Sequence, residues 1–155
     1  MAHKMPEPVS KVRLFLVDDE PHVRRGVEIL LGARAGLELC GSAESAAAAL
    51  QLIPQREPDL VLVDLALKGD DGFELIRRLR QLRPRLKLLV FSMHNEPFHV
   101  LQAFEAGAHG YVPKDEGPER LLEAIDTLLA GRCYISPALA ARLPLLRRRL
   151  QSGRH

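Results

Sequence analysis

The chain has few cysteines, almost no net charge and no long hydrophobic stretch, and each of these absences excludes a class of protein. Its two cysteines, Cys40 and Cys133, lack the spacing of metal ligands and are expected to be reduced thiols. A net charge of +2 is too small to indicate nucleic acid or a membrane as the main partner. No apolar run approaches the roughly 18 residues of a membrane span. The N-terminus has no apolar signal core, which argues against secretion and for the cytoplasm.

The composition predicts one ordered domain with two polar ends. A length of 155 residues, with 46% hydrophobic and 27% charged residues, is typical of a single globular domain. Residues 1–10 are polar and contain proline, so we expect them to be disordered. The domain pattern ends at Gly131, and a helix interrupted at Pro144 is predicted over 138–150. The basic residues near the C-terminus are also typical of a solvated tail.

Short apolar runs alternate with helical patterns five times along the chain. Runs of this kind indicate strands buried on both faces, and their alternation with helices predicts an α/β fold with a parallel sheet. Pro21 suits the first turn of the first helix, and either Ser42 or Ser45 could cap the second, which Pro54 and Pro58 would close. Pro113 has no N–H to donate to a sheet, so we place the fifth strand at an edge.

Four of the predicted strands end at a residue with a reactive side chain. Function collects at the carboxyl edge of such sheets, where these strand ends meet. The runs are 14–17 before Asp18 and Asp19, 60–63 before Asp64, 86–91 before Ser92, and 110–113 before Lys114. Carboxylates suit Mg²⁺, and a carboxylate can also accept a phosphoryl group covalently. The order of these residues therefore predicts a site for a divalent cation and a phosphoryl group.

Each of these residues also has a simpler interpretation. Asp18, Asp19 or Asp64 alone could cap the helix that follows its strand. Ser92 alone carries little information, and Lys114 alone could be a surface charge. The combination of all five at successive strand ends is what makes the signal specific.

Several stretches of the chain resemble the receiver domain of bacterial response regulators. They are Val17-Asp18-Asp19-Glu20, Leu62-Val63-Asp64, Asp71-Gly72-Phe73-Glu74, Phe91-Ser92 and residues 107–114. The stretches 91–94 and 106–115 are most similar to the NarL/FixJ, or LuxR-type, subfamily. The resemblance implies a receiver domain over 11–131 with a CheY-like, flavodoxin-like doubly wound fold. The implied sheet has five parallel strands in the order 2-1-3-4-5.

The resemblance also implies a role for each acidic residue. Asp64 would accept a phosphoryl group from a phosphohistidine of a sensor histidine kinase. Asp19 and Asp64 would bind Mg²⁺ directly, with the backbone carbonyl of Ala66 as a third ligand. Asp18 would act on the metal through water.

Two further residues would hold the phosphoryl group, and a third would change position in response to it. Ser92 and Lys114 would bind phosphoryl oxygens. Tyr111 would be the switch residue, turning inward when Ser92 moves toward the phosphate and changing the surface of the fourth helix, fifth strand and fifth helix. From the sequence alone, Tyr111 could equally be an aromatic residue half-buried at a sheet edge.

The resulting hypothesis is a signalling domain, with its own phosphorylation and dephosphorylation chemistry, from a transcriptional regulator. Residues 132–155 would be a linker toward a C-terminal helix-turn-helix domain, outside this chain, that binds DNA, and the receiver would form a homodimer on phosphorylation. The alternative is a stand-alone receiver used for phosphotransfer or protein binding. A flavodoxin-like enzyme is disfavoured, because the loops have no glycine-rich phosphate cradle and no histidine lies among the strand ends.

Overall fold

Six strands form one parallel sheet in the computed structural model, which describes residues 10–152. The expected disorder of residues 1–10 falls almost wholly outside this range. The strands are β1 (Val12–Val17), β2 (Leu37–Ala43), β3 (Leu60–Val63), β4 (Ala66–Leu67), β5 (Asp70–Asp71), β6 (Lys87–Ser92), β7 (Gly110–Pro113) and β8 (Tyr134–Ile135). The helices are α1 (Pro21–Gly32), α2 (Ala46–Arg56), α3 (Gly72–Leu82), α4 (Pro97–Ala106), α5 (Pro118–Leu129), α6 (Pro137–Arg142) and α7 (Pro144–Gln151). Strands β4 and β5 form a separate antiparallel hairpin.

The sheet has the order β2-β1-β3-β6-β7-β8. Because β6 and β7 are the predicted fourth and fifth strands, the doubly wound order 2-1-3-4-5 is confirmed. The placement of the fifth strand at the edge is wrong, since β8 pairs with Gly110 and Tyr111 of β7. Pro113 lies beyond these two pairs, so its missing N–H does not interrupt the hydrogen bonds between β7 and β8.

Helices cover both faces of the sheet and create two apolar cores. Alternate residues of β1 point to opposite faces, so Phe15 belongs to one core and Leu16 to the other. Side chains of α1 and α5 complete the core around Leu16, whereas α2, α3 and α4 complete the core around Phe15. None of the helices within residues 10–152 has the length and apolar character required to cross a membrane.

The helix ends follow the predicted signals with one exception. Ser45 is the serine that caps α2, because its Oγ accepts a hydrogen bond of 3.1 Å from the Ala48 N–H. Helix α2 does not close at Pro54 but continues to Arg56, and it ends before Pro58, the second proline predicted to close it. Pro54 forfeits one hydrogen bond, and the helix instead ends at Glu57, whose φ of 50° is left-handed.

The segment after Gly131 folds against the rest of the domain. The predicted helix with a break at Pro144 occurs as α6 and α7, and the proline begins the second of them. Leu139 and Leu146 are buried in the core that α4 also lines. At the start of α6, the Ser136 hydroxyl donates a 3.0 Å hydrogen bond to Glu116. This packing extends the folded unit as far as α7, and the boundary at 131 remains a prediction.

Gly72 begins α3 against the backbone that follows Asp64. A Cβ atom at this position would lie 2.7 Å from the Cα of Leu65 and 2.9 Å from the carbonyl oxygen of Asp64. Backbone atoms cannot rotate aside as a side chain can, so we expect Gly72→Ala to lower the free energy of unfolding by about 2 kcal/mol in urea denaturation. Gly26, inside α1, has open space around its Cα, and Gly26→Ala should raise it by about 0.5–1 kcal/mol. Equal stability of the two variants would contradict this prediction.

Candidate functional site

The four predicted strand ends meet at the carboxyl edge of the sheet. Val17 lies opposite Val63 in the pairing of β1 with β3, so Asp18 and Asp64 leave the sheet at the same level. The Asp64 N–H donates a 2.9 Å hydrogen bond to the carbonyl of Val17, which continues the ladder into the site. Asp18 and Asp64 are both buried, as the expected site requires.

Lys114 joins the two buried carboxylates. Its Nζ lies 2.8 Å from Oδ2 of Asp18 and 3.1 Å from Oδ2 of Asp64, and its side chain is only 6% exposed. Burial alone would lower the pKa of Lys114, but the carboxylates of Asp18 and Asp64 outweigh this effect and raise it. Lys114 is therefore a buried ammonium at the centre of the site, and the interpretation as a surface charge is wrong.

The Asp18 carboxylate is placed by one strong hydrogen bond and one ion pair. Its Oδ1 accepts a 2.9 Å hydrogen bond from the Glu20 N–H. Its Oδ2 forms an ion pair with the Lys114 Nζ at 2.8 Å. Burial raises the pKa of Asp18, although the ammonium of Lys114 opposes this shift.

Three carboxylates offer oxygen atoms within 4.8 Å of one another: those of Asp18, Asp19 and Asp64. Asp19 accepts a 3.1 Å hydrogen bond from the Lys68 N–H, and Asp64 accepts one of 3.2 Å from the Ala66 N–H. A hard cation such as Mg²⁺ takes oxygen ligands, and three carboxylates this close together supply a donor set made of oxygen. The residues present therefore fit this cation.

The alternative of helix capping is excluded for all three aspartates. The residue at the N-cap of α1 is Glu20, and it makes no side-chain capping bond. The N-cap of α3 is Asp71, whose Oδ1 accepts a 2.9 Å hydrogen bond from the Phe73 N–H. Asp18, Asp19 and Asp64 thus cap neither of the helices that follow them.

Ser92 and Tyr111 both contact the backbone of one residue, His94, one at its N–H and the other at its carbonyl. The Ser92 Oγ accepts a 3.1 Å hydrogen bond from the His94 N–H, and the Tyr111 hydroxyl donates one of 2.6 Å to the His94 carbonyl. Tyr111 is completely buried, so the half-buried interpretation is wrong. Burial raises the pKa of Tyr111 well above its ordinary range, and this keeps the hydroxyl a donor.

Sequence reasoning missed two neighbours of the site. The Glu20 carboxylate lies 3.6 Å from the Nζ of Lys114. Glu20 directly follows Asp18 and Asp19 in the sequence, and this position could have indicated that it borders the site. His94 acts through its backbone, so no side-chain pattern could have indicated it.

Doubly wound domains with an acidic cluster after the first and third strands form the CheY-like class of signal receivers, and this chain has both features. The chain belongs to the response regulator receiver domain family, because the sequence model of that family matches residues 14–126. Its relatives identify it as a receiver of the NarL/FixJ type, found in LuxR-family response regulators.

Three of these relatives define the extent of the similarity. The transcriptional activator protein ExaE of Pseudomonas putida is 42% identical over 84% of this chain and 61% of its own length. The nitrate/nitrite response regulator protein NarL of Escherichia coli K12 is 34% identical over 91% of this chain and 64% of its own length. A crystal structure of a LuxR-family two-component response regulator from Aurantimonas sp. SI85-9A1 has 40% identity and a TM-score of 0.83. The match covers 89% of this chain and 99% of the chain in that crystal structure. The chain thus spans less than two thirds of the curated relatives' length.

Proposed function

We propose that this receiver accepts a phosphoryl group on Asp64 from a phosphohistidine of a sensor histidine kinase. A carboxylate oxygen of Asp64 attacks the phosphorus atom, the phosphorus–nitrogen bond breaks, and the imidazole leaves with a proton. Water later attacks the phosphorus atom, the bond to the Asp64 oxygen breaks, and inorganic phosphate leaves as the carboxylate is restored. The observation that carries the proposal is the buried ion pair of Lys114 with Asp64, which sets an ammonium beside the nucleophile.

Mg²⁺ would be held by Asp19, Asp64 and the carbonyl of Ala66, with Asp18 acting through water. When bound, it would supply positive charge that stabilises the transferring phosphoryl group. The carboxylate triad of Asp18, Asp19 and Asp64 supports this assignment, since these oxygens already lie together.

Lys114 and Ser92 would bind the phosphoryl oxygens after transfer. Lys114 already contacts Asp64, so its ammonium needs little movement to pair with an added oxygen. The Ser92 hydroxyl would donate to a phosphoryl oxygen, and the movement of Ser92 toward the phosphoryl group would break the hydrogen bond that its Oγ accepts from the His94 N–H.

That movement would couple the phosphoryl group to Tyr111 through the backbone of His94, whose carbonyl accepts the Tyr111 hydrogen bond. The output face would be α4, β7 and α5. The C-terminal segment lies against this face, since β8 pairs with β7 and Arg142 of α6 donates a 3.2 Å hydrogen bond to the Asn95 carbonyl. A shift of the β6–α4 loop would therefore reach α6 directly.

We also propose that the output is transcriptional, through a DNA-binding domain outside this chain, in a cytoplasmic protein that forms a homodimer on phosphorylation. The support is that ExaE is named a transcriptional activator and extends well beyond the matched region. Residues 132–155 would then connect the receiver to that domain.

Incubation with acetyl phosphate tests the phosphoryl transfer itself. We expect intact-mass spectrometry to detect one added phosphoryl group in the presence of Mg²⁺, because the small donor replaces the kinase. Chelation of Mg²⁺ with EDTA should reduce the labelled fraction by more than about tenfold. The reason is that phosphoryl transfer depends mainly on neutralising the negative charge of the transferring group. Labelling that is equally fast with and without EDTA would contradict the proposal.

A further inference from the structure

The β4–β5 hairpin carries two backbone groups that contact the acidic site. The Lys68 N–H, in the turn of the hairpin, donates a 3.1 Å hydrogen bond to Oδ2 of Asp19. The Ala66 N–H donates one of 3.2 Å to Oδ1 of Asp64, and the Ala66 carbonyl is the proposed backbone ligand of Mg²⁺. The position of the hairpin therefore decides where a bound cation would meet the backbone.

The hairpin has little structure of its own that would fix this position. Its two strands have two residues each, and they pair with one another rather than with the main sheet. A two-stranded ribbon by itself is marginally stable in water. The turn residues are Lys68 and Gly69, and neither restricts the backbone as proline does. Contacts with the rest of the domain must therefore set the position of the hairpin.

One pair of residues across the hairpin makes such contacts. Leu67 lies opposite Asp70, so their side chains share one face of the ribbon. The Leu67 side chain is buried in the core that α2 also lines. The Asp70 Oδ2 accepts a 2.9 Å hydrogen bond from the Ala46 N–H, the first of α2. Leu67 thus anchors β4 in the core, and Asp70 anchors β5 to α2.

The contact with Asp70 also completes the start of α2. The first N–H groups of a helix have no partner within the helix. The Ser45 Oγ accepts the hydrogen bond of the Ala48 N–H, and Asp70 accepts that of the Ala46 N–H. The first turn of α2 contains no acidic residue of its own, so the carboxylate of Asp70 supplies negative charge that the helix dipole favours.

We propose that Asp70 is a positioning residue of the metal site, which keeps the Ala66 carbonyl and the Lys68 N–H beside the acidic cluster through its bond to α2. The proposal rests on the proposed function, since it concerns the Mg²⁺ ligands assigned there. Asp70 lies outside the triad of carboxylates whose oxygens are within 4.8 Å of one another. Its effect on the cation would therefore pass through the backbone of the hairpin rather than through coordination.

Stabilisation by Mg²⁺ measures the affinity of the site without phosphorylation. Urea denaturation of the full chain at a series of Mg²⁺ concentrations would give the dissociation constant, because a cation that binds only the folded state raises the unfolding midpoint. The variants are Asp70→Ala, Asp70→Asn, Ala46→Pro and the control Asp59→Ala. The Asp59 carboxylate also accepts a backbone hydrogen bond, from the Arg13 N–H at 2.8 Å, but it lies directly before β3, at the opposite edge of the sheet.

The variants separate the hydrogen bond from the charge. Ala46→Pro removes the donor and keeps the carboxylate, at a first helical position that suits proline. Asp70→Asn removes the charge and keeps an oxygen that can accept the hydrogen bond. We expect Asp70→Ala and Ala46→Pro to bind Mg²⁺ about tenfold more weakly than the wild type, and Asp70→Asn and Asp59→Ala to bind it as the wild type does.

Two results would overturn the role of Asp70. One is wild-type affinity in Asp70→Ala or in Ala46→Pro, and the other is an equal loss in Asp70→Ala and Asp70→Asn, which would indicate a purely electrostatic effect. Circular dichroism would verify the fold of each variant. Ala46→Pro keeps the test decisive if Asp70→Ala does not fold, because it breaks the same bond from the other side.

Hydrogen exchange of the Lys68 amide separates this proposal from the proposed function. With EDTA present, this amide should exchange at least about fivefold faster in Asp70→Ala than in the wild type, since the hairpin opens more often when one hydrogen bond is lost. A wild type that Mg²⁺ does not stabilise would contradict the proposed function. An unchanged exchange rate of Lys68 in a folded Asp70→Ala would overturn only the positioning role of Asp70.

Discussion

Replacing Asp64 by asparagine is expected to abolish labelling by acetyl phosphate. The amide cannot act as the nucleophile, and no other carboxylate of the site has the same contact with both Lys114 and the Ala66 N–H. Intact-mass spectrometry should find the labelled fraction reduced by more than about 100-fold relative to the wild type. Because asparagine has the same shape as aspartate, the fold should persist, which circular dichroism would verify.

Asp126→Asn is the matched control for this substitution. Asp126 is exposed on α5 and pairs with Arg34 at 2.7 Å, far in the sequence from the strand ends. An exposed ion pair contributes only about 0–1 kcal/mol, so this variant should be labelled as well as the wild type. Asp64→Asn that still takes up a phosphoryl group in the presence of Mg²⁺ would refute the assignment of the acceptor.

Replacing Lys114 by alanine is expected to produce the largest loss of stability among single substitutions at the site. The change leaves the carboxylates of Asp18 and Asp64 buried, close together and without the ammonium that now contacts both. Removal of one member of a buried ion pair commonly costs about 3–5 kcal/mol, because the remaining charge is uncompensated. We expect a decrease of about 3 kcal/mol in the free energy of unfolding, measured by urea denaturation with EDTA.

Addition of Mg²⁺ should recover part of this loss in Lys114→Ala, since a bound cation restores positive charge between the carboxylates. The control is Lys11→Ala, an exposed residue directly before β1, which should change stability by less than about 0.5 kcal/mol. If Lys114→Ala unfolded at the same urea concentration as Lys11→Ala, the ion pairs of Lys114 with Asp18 and Asp64 would contribute nothing to the free energy of unfolding.

The residues of the main site were predictable because each directly follows a predicted strand. Asp64 and Lys114 come after the four-residue runs 60–63 and 110–113, and the carboxyl ends of parallel strands meet at one edge of the sheet. Strand β8 gave no such signal: Tyr134–Ile135 is too short to show a period, and it forms only because β7 offers an open edge. The β4–β5 hairpin is equally short and was missed for the same reason.

Other features depended on choices that the sequence leaves open. An aspartate after a strand can cap a helix or enter a site, and what decided the matter was the side chain of Asp71, which caps α3. His94 contributes through its backbone, since its N–H and its carbonyl contact the side chains of Ser92 and Tyr111. These contacts exist only once the loop after β6 lies beside β7, so a linear pattern does not reveal them.

Peptide mapping of the labelled protein is the most direct test of the phosphoacceptor site. The wild type would be incubated with acetyl phosphate and Mg²⁺, trapped at the acyl phosphate by borohydride reduction, digested and sequenced by mass spectrometry. We predict that the reduced residue is Asp64 alone, since it holds the carboxylate that Lys114 joins to Asp18. Modification of Asp18 or Asp19 in place of Asp64, or of a histidine by a phosphoryl group, would contradict the proposed mechanism.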